Sequence, residues 1–273
     1  MADIAPFHVM KLLARARAME ASGRSIIHME IGEPDFETPQ PVIQAGIEAL
    51  QKGRTHYTPA LGLPALRQAI ADYYQVNYRC KLADNNIVIT PGSSGALQLI
   101  CGVLINPGDE VLLTDPGYPC NRHFVQLMGG RPRFFQLSET NNYQFNLDEL
   151  KKNWTPKTRM LMLASPANPT GVVLDESLLV EIARFARKRN AYLLVDEIYH
   201  GLIYDTHVPT MAACLDNVFV INSFSKYFCM TGWRIGWLVS PEKFVEDIDK
   251  LAQNIFLAAS TPGQYAALAA FTE

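Results

Sequence analysis

Cysteine is scarce in this sequence and follows no pattern. The 273 residues contain five cysteines, an odd number, and none of them forms a CxxC pair. A disulfide framework needs an even set and a structural zinc site needs clustered ligands, so both are excluded. Scattered single cysteines are typical of a reducing compartment, and we therefore predict a cytoplasmic location.

Long apolar runs and clusters of positive charge are also missing. No stretch of about 18 apolar residues occurs, so the sequence predicts no membrane span. The N-terminus lacks the basic-then-apolar pattern of a secretory signal. The formal net charge is −3 and no basic run is present, which argues against nucleic acid as a partner.

Apolar residues, by contrast, are plentiful. They make up 48% of the chain and charged residues 19%, which is the composition of a globular protein with a sizeable core. The length suits one large domain, or a large domain with part of another.

Apolar runs alternate with helical stretches over most of the chain, which predicts an α/β fold around a mostly parallel sheet. Strands are predicted at 87–90, 110–114, 131–137, 160–164, 191–195, 218–221 and 235–239. Helices are predicted at 7–21, 39–51, 63–78, 96–104, 176–189 and 263–271. A further short strand is predicted at 26–31, ahead of a turn-forming cluster.

Polar residues follow several of these strands. In a parallel sheet, ligands bind beyond the carboxyl ends of the strands. The residues at those ends are Ser93 and Ser94, Tyr118, Asn168, Asp196, and the segment 223–226. Each has an ordinary explanation as well, since serine can cap a helix, asparagine before proline can start a turn, and tyrosine can simply pack. Five strand ends that supply complementary groups favour a single ligand site.

The stretch from Ser223 to Gly236 carries the most specific chemistry. Lys226 lies among hydroxyls, aromatics and glycines, where burial favours the uncharged amine that forms Schiff bases with carbonyls. Ser223, Ser225 and Arg234 are residue types that hold a phosphate. An aldehyde and a phosphate in one ligand indicate pyridoxal phosphate. The alternative is an exposed lysine on a loop.

Two other strand ends predict opposite charges in the ligand. The turn 91–95, Pro-Gly-Ser-Ser-Gly, precedes an apolar helix, and free backbone N–H groups at such a helix start attract an anion. Asp196 ends a buried apolar strand, where a carboxylate is costly unless it meets a cation. A protonated pyridine nitrogen is such a cation.

Taken together, these motifs resemble the class I and II aminotransferases of the pyridoxal-phosphate fold type I group, especially aspartate aminotransferase-like enzymes. The matching stretches lie at 31–36, 57–62, 115–119, 168–171, 196–199, 223–226 and 232–234. They occur in family order over nearly the whole chain. The resemblance implies a three-layer sandwich around a mostly parallel seven-stranded sheet.

The resemblance also implies roles for individual residues around the cofactor ring. Lys226 is similar to the Schiff-base lysine, which is also the proton shuttle. Asp196 is similar to the partner of the pyridine nitrogen. Tyr199 and Asn168 correspond to the hydrogen-bond donors to the phenolic oxygen of the ring, and Tyr118 to the aromatic residue stacked on it.

Phosphate, subunit and substrate contacts are implied in the same way. The phosphate would be held by Ser93, Ser94, Ser223, Ser225 and Arg234. Tyr57 is similar to a tyrosine that reaches the phosphate of the neighbouring subunit, which implies a homodimer. Gly32 matches a glycine whose backbone meets the substrate carboxylate, with Tyr118 and Asn168 as further substrate contacts. No metal is implied.

The implied activity is ping-pong transamination of an L-amino acid with a 2-oxo acid through a Lys226 Schiff base. The same cofactor residues would serve a related carbon–sulfur lyase, so that alternative stays open. The amino-donor preference cannot be inferred from motifs that aminotransferases of different specificity share.

Family members are longer than this sequence at the C-terminal side. The resemblance therefore implies that residues 1–42 form an N-terminal arm and part of a small domain, and that residues 43–273 form the large cofactor-binding domain. The remainder of the small domain, with the arginine that grips the substrate α-carboxylate, would be absent. The sequence would then be a cofactor-binding piece of an enzyme or a protein with impaired substrate binding.

Overall fold

The computed structural model describes residues 6–204, 208–214 and 216–272. Their helices are α1 His8–Ala21, α2 Gln40–Gln51, α3 Pro64–Tyr78, α4 Gly92–Leu104, α5 Asn121–Leu127, α6 Leu147–Asn153, α7 Glu176–Arg187, α8 Val245–Ile255 and α9 Thr261–Ala269. Their strands are β1 Ile87–Thr90, β2 Glu110–Asp115, β3 Arg131–Gln136, β4 Thr158–Ala164, β5 Tyr192–Asp196, β6 Val218–Ser223 and β7 Gly236–Val239.

All seven strands form one sheet in the order β1-β7-β6-β5-β4-β2-β3. Strand β7 runs antiparallel to both of its neighbours, β1 and β6, and the other pairings are parallel. The predicted α/β fold with a mostly parallel seven-stranded sheet is therefore confirmed. Six strands end at the same edge of the sheet, and β7 begins there.

Helices cover both faces of the sheet, because the central strands are apolar on both sides. All six residues of β6 are buried. One core cluster joins α3 and α7 to one face and includes Leu66, Ile70, Leu179, Leu193 and Val195. The other joins α4 and α8 to the opposite face and includes Leu97, Ile100, Leu194, Phe219 and Ile248. The result is the expected three-layer arrangement.

Two local predictions were wrong. Residues 26–31 do not form a strand. Ile27 and Met29 are 86% and 87% exposed, and none of the described strands pairs with this segment. Helix α4 begins at Gly92 rather than at residue 96. The Gly/Ser residues that were predicted as a turn therefore form the first helical turn.

The predicted division of the chain at residue 42 lies inside α2, and the assignment of domains stays a prediction. Residues 1–5 of the predicted arm and Glu273 lie outside the described residues. Among the helices that the structure describes, none combines the length and apolar character needed to cross a bilayer.

Candidate active site

The start of α4 and the segment before β7 lie in close contact. Gly92 has φ +66°, and a Cβ at this position would lie 2.5 Å from Nη2 of Arg234. A Cβ on Gly236 would lie 2.8 Å from the backbone nitrogen of Ser93. Only glycine permits these approaches, which bring a guanidinium against the first turn of a helix.

The first turn of α4 is suited to bind negative charge. It contains Ser93 and Ser94 and no acidic residue. Its N–H groups lack intrahelical partners, and the helix dipole is positive at this end. Together with Arg234, these groups offer the backbone and side-chain donors that a phosphate needs. The structure therefore brings three of the predicted phosphate contacts, Ser93, Ser94 and Arg234, into one place.

Ser223 and Ser225 lie where β6 ends, and both are buried. Ser223 Oγ lies 3.0 Å from the Ile235 carbonyl oxygen and 2.8 Å from Ser225 Oγ. A carbonyl can only accept, so Ser223 donates to Ile235 and Ser225 donates to Ser223. Ser223 also accepts the Ser225 backbone N–H at 3.1 Å. Both hydroxyls are thus engaged in hydrogen bonds inside the protein, and the Ser225 hydroxyl would have to exchange its bond to Ser223 for one to a ligand.

Asp196 is a desolvated carboxylate at the end of β5. Its Oδ1 accepts the backbone N–H of Ile198 at 3.0 Å. Burial raises the pKa of Asp196 to about 6, against the smaller opposing effect of that hydrogen bond. No ion pair within the part of the chain that the structure describes involves Asp196. A carboxylate in this situation is stabilised by a ligand that brings positive charge.

Tyr199 and Asn168 meet above the neighbouring strand ends. Asn168 Nδ2 donates to the Tyr199 hydroxyl oxygen at 3.2 Å. Burial raises the pKa of Tyr199, and the nearby negative charge of Asp196 adds to this effect. The phenol therefore stays protonated and can donate to an anionic oxygen.

Tyr118, on the loop after β2, joins the same group of side chains. Burial raises the pKa of Tyr118, and the negative charge of Asp196 contributes. The ring of Phe7 packs edge-on against that of Tyr118, with 6.3 Å between the centroids. Phe7 was not predicted as a site residue, because it belongs to none of the motifs that the sequence contains.

Lys226 lies on the loop between β6 and β7 and is partly buried. Burial lowers the pKa of its amine, the charge of Glu33 raises it, and the charge of Arg234 lowers it. The amine donates a hydrogen bond to the Gly32 carbonyl oxygen. The predicted substrate contact Gly32 thus lies beside the predicted catalytic lysine.

The segment 32–38 is fixed across the Lys226 loop by further contacts. Thr231 Oγ1 donates to the Glu33 carboxylate. Thr38 Oγ1 donates to the Cys229 carbonyl oxygen at 2.7 Å. Glu33 was not singled out from the sequence, although it lies in the motif 31–36; its relation to Lys226 depends on a contact between distant parts of the chain.

Tyr57 lies on the surface of this chain. Its side chain is 82% exposed, and the structure gives it no contact with the other predicted site residues. A separate open cleft of about 630 Å³ lies near the opposite edge of the sheet, between Lys81, Val218 and Pro241. None of the predicted site residues lines that cleft.

Comparison with known proteins gives consistent results. The family model described as aminotransferase class I and II matches residues 24–273. The chain is 41% identical over 268 residues to a (5-formylfuran-3-yl)methyl phosphate transaminase of Methanocaldococcus jannaschii, covering 97% of this chain and 69% of that protein. It is 36% identical over 264 residues to an aspartate aminotransferase of Thermotoga maritima, covering 96% of this chain and 70% of the relative.

A solved structure agrees with these relatives. The aspartate aminotransferase of Thermus thermophilus with maleate superposes with a TM-score of 0.94 at 29% identity, covering 98% of this chain and 71% of that one. The similarity therefore extends along almost all of this sequence and over about seven tenths of each compared protein.

Proposed function

The chain belongs to the class I and II aminotransferases, and from this premise we propose that it transfers an amino group from an L-amino acid to a 2-oxo acid by a ping-pong mechanism. Enzymes of this family depend on pyridoxal phosphate. In our proposal Lys226 provides the amine that bonds covalently to the cofactor.

The described residues fit this cofactor. Asp196 is a desolvated carboxylate without a cationic partner among the described side chains, as expected for a residue that faces a protonated ring nitrogen. Gly92 leaves room for the Arg234 guanidinium at the start of α4, as expected for a phosphate site. When bound, pyridoxal phosphate supplies an aldehyde and a ring that accepts the electron pair left on the substrate Cα.

In the proposed mechanism, the protein orients groups and moves protons. Lys226 Nζ, as an uncharged amine, would accept the proton from the substrate Cα. Asp196 holds a proton on the ring nitrogen. Tyr199 and Asn168 would hold the phenolic oxygen by hydrogen bonds, and Tyr118 would pack against the ring.

The remaining assignments concern the cofactor phosphate and the substrate carboxylate. Ser93, Ser94, Ser225 and Arg234 bind the phosphate, and Ser223 supports Ser225. Gly32 meets the substrate carboxylate, with Asn168 and Tyr118 nearby. One observation carries the proposal. The amine of Lys226 donates a hydrogen bond to the Gly32 carbonyl oxygen, and both burial and the nearby positive charge of Arg234 lower its pKa.

Replacing the lysine tests the proposal directly. Lys226→Ala should lower amino transfer by roughly a thousandfold or more, because it removes both the covalent link and the proton acceptor. Borohydride reduction with pyridoxal phosphate should add the cofactor mass to the Lys226 peptide of the wild type. Lys243→Ala is the matched control, since Lys243 lies over the ring of Tyr192, away from the site.

Amino transfer at a near wild-type rate in Lys226→Ala would sink the assignment of the lysine. Release of pyruvate and ammonia without consumption of an oxo acid would instead indicate the lyase. A screen of single amino acids, followed by the absorbance of the bound cofactor, identifies the amino donor.

A further inference from the structure

Glu197 is a buried acid that none of the roles above uses. It directly follows Asp196, and its side chain is fully buried. Its Oε1 accepts the Met211 backbone N–H at 2.8 Å, and its Oε2 accepts the Thr210 hydroxyl at 2.8 Å. Burial raises the pKa of Glu197 to about 8. The carboxyl group is therefore mostly protonated at neutral pH.

His200 lies next to this acid and is also buried. Its Nε2 lies 3.1 Å from the Ser165 carbonyl oxygen. Because that oxygen can only accept, Nε2 carries a hydrogen. The other nitrogen, Nδ1, lies 3.5 Å from Glu197 Oε2. The carboxyl group of Glu197 and the imidazole of His200 therefore lie side by side in the protein interior.

Through Ser165, the pair reaches the end of the neighbouring strand. Ser165 donates its backbone N–H to the Asp196 carbonyl oxygen at 3.1 Å. Its hydroxyl oxygen accepts the Leu174 backbone N–H at 3.0 Å. Ser165 also begins the loop that carries Asn168, and this loop is closed by a hydrogen bond of 2.8 Å from the Gly171 N–H to the Ala167 carbonyl oxygen.

Building on the proposed function, we infer that Glu197 and His200 are positioning residues for the ring-binding side chains at the ends of β4 and β5. His200 fixes the β4 loop, which carries Asn168, to the β5 turn, which carries Tyr199. Glu197 fixes that turn to residues 210–211. The hydrogen bond from Asn168 to Tyr199 then has a rigid support on both sides.

Four substitutions test this inference. His200→Phe keeps the ring that lies 5.4 Å from the Tyr78 ring but loses the donor to Ser165. Glu197→Leu loses the acceptors for Thr210 and Met211, whereas Glu197→Gln keeps an acceptor and offers a donor to His200. Asn217→Ala is the matched control, because the buried Asn217 donates to Ala183 and Ala191 at 3.1 Å near the opposite edge of the sheet.

The readouts are the dissociation constant for pyridoxal phosphate and the pH midpoint of the absorbance change of the bound cofactor. We expect about tenfold weaker binding and a shifted midpoint in His200→Phe and Glu197→Leu. Glu197→Gln should stay within about threefold of the wild type, because its neutral amide resembles the protonated acid. Asn217→Ala should lower the melting temperature and leave both readouts unchanged.

Wild-type affinity and midpoint in His200→Phe would overturn the inference, as would equal shifts in Asn217→Ala. If Glu197→Leu does not fold, the comparison of His200→Phe with Asn217→Ala decides alone. A wild-type protein that binds no pyridoxal phosphate would contradict the proposed function instead, so the two failures are distinguishable.

Discussion

At the scale of single residues, the raised pKa of Asp196 links the site to the stability of the chain. Below about pH 4 the carboxyl group is protonated in the folded and the unfolded state. As the pH rises from 3.8 to about 6, the unfolded chain releases this proton first, so the folded state loses stability. Above that range the penalty is constant and amounts to roughly 3 kcal/mol.

Asp196→Asn removes this ionisation and should separate stability from function. In the absence of cofactor, the variant should unfold at higher urea concentration than the wild type at pH 8, and at a similar concentration at pH 4. Its affinity for pyridoxal phosphate should fall at least tenfold, because the ring nitrogen loses its anionic partner. The surface variant Asp72→Asn serves as the control, and a stability difference independent of pH would contradict the argument.

At the scale of the elements, the junction of β1 and α4 depends on a glycine. Gly92→Ala would place a methyl group against the Arg234 guanidinium and force a left-handed backbone on alanine. We expect a stability loss of about 1 kcal/mol and at least tenfold weaker binding of pyridoxal phosphate.

Gly108→Ala separates these two effects. Gly108 has φ +90°, and a Cβ there would meet no atom within 4 Å, so this variant shares the backbone strain without disturbing Arg234. Thermal unfolding should report a comparable loss for both variants. Fluorescence titration with the cofactor should report weaker binding for Gly92→Ala alone. Equal affinities of Gly92→Ala and Gly108→Ala for the cofactor would show that binding does not depend on the position of the Arg234 guanidinium.

Periodicity and turn residues are sufficient to predict most elements, because the strands are buried and separated by helices. The segment 26–31 shows where this reasoning fails: its apolar residues favour a strand, but a strand also needs a partner, which local sequence does not reveal. The same limit applies to the site. Lys226 and Asp196 could be predicted from their positions at strand ends, whereas Phe7 and Glu33 come into contact with the site only through long-range folding. His200 lies on the same turn as Asp196, but its contact with Ser165, 35 residues earlier, could not be predicted.

At the scale of the whole molecule, the exposed Tyr57 leads to a prediction about assembly. We propose that the protein is a homodimer in which Tyr57 reaches the phosphate bound by the partner subunit. Mixing Tyr57→Ala with Lys226→Ala subunits after co-refolding should then restore activity, since each mixed dimer has one site with both residues intact. Half of the dimers are mixed in an equal mixture, so about a quarter of the sites should work.

The alternative gives a different result in the same experiment. If Tyr57 acts within its own subunit, every site in a mixed dimer lacks one of the two residues, and mixing restores nothing. Sedimentation of each variant before mixing verifies that both form dimers. A monomeric wild-type protein would contradict the proposed assembly outright.

The pairing of β1 with β7 has a consequence for how the protein folds. Thr90 lies opposite Gly236, so Gly92 and Arg234 meet only after the first and last strands of the sheet have joined. The loop closed by this pairing contains the other five strands, and closing so long a loop is entropically slow. A phosphate-bearing ligand that binds only the native state opposes reopening of that loop. The phosphate that we propose at this site would therefore stabilise the pairing of β1 with β7, which has the longest sequence separation in the sheet. Its binding would require that the whole sheet is assembled.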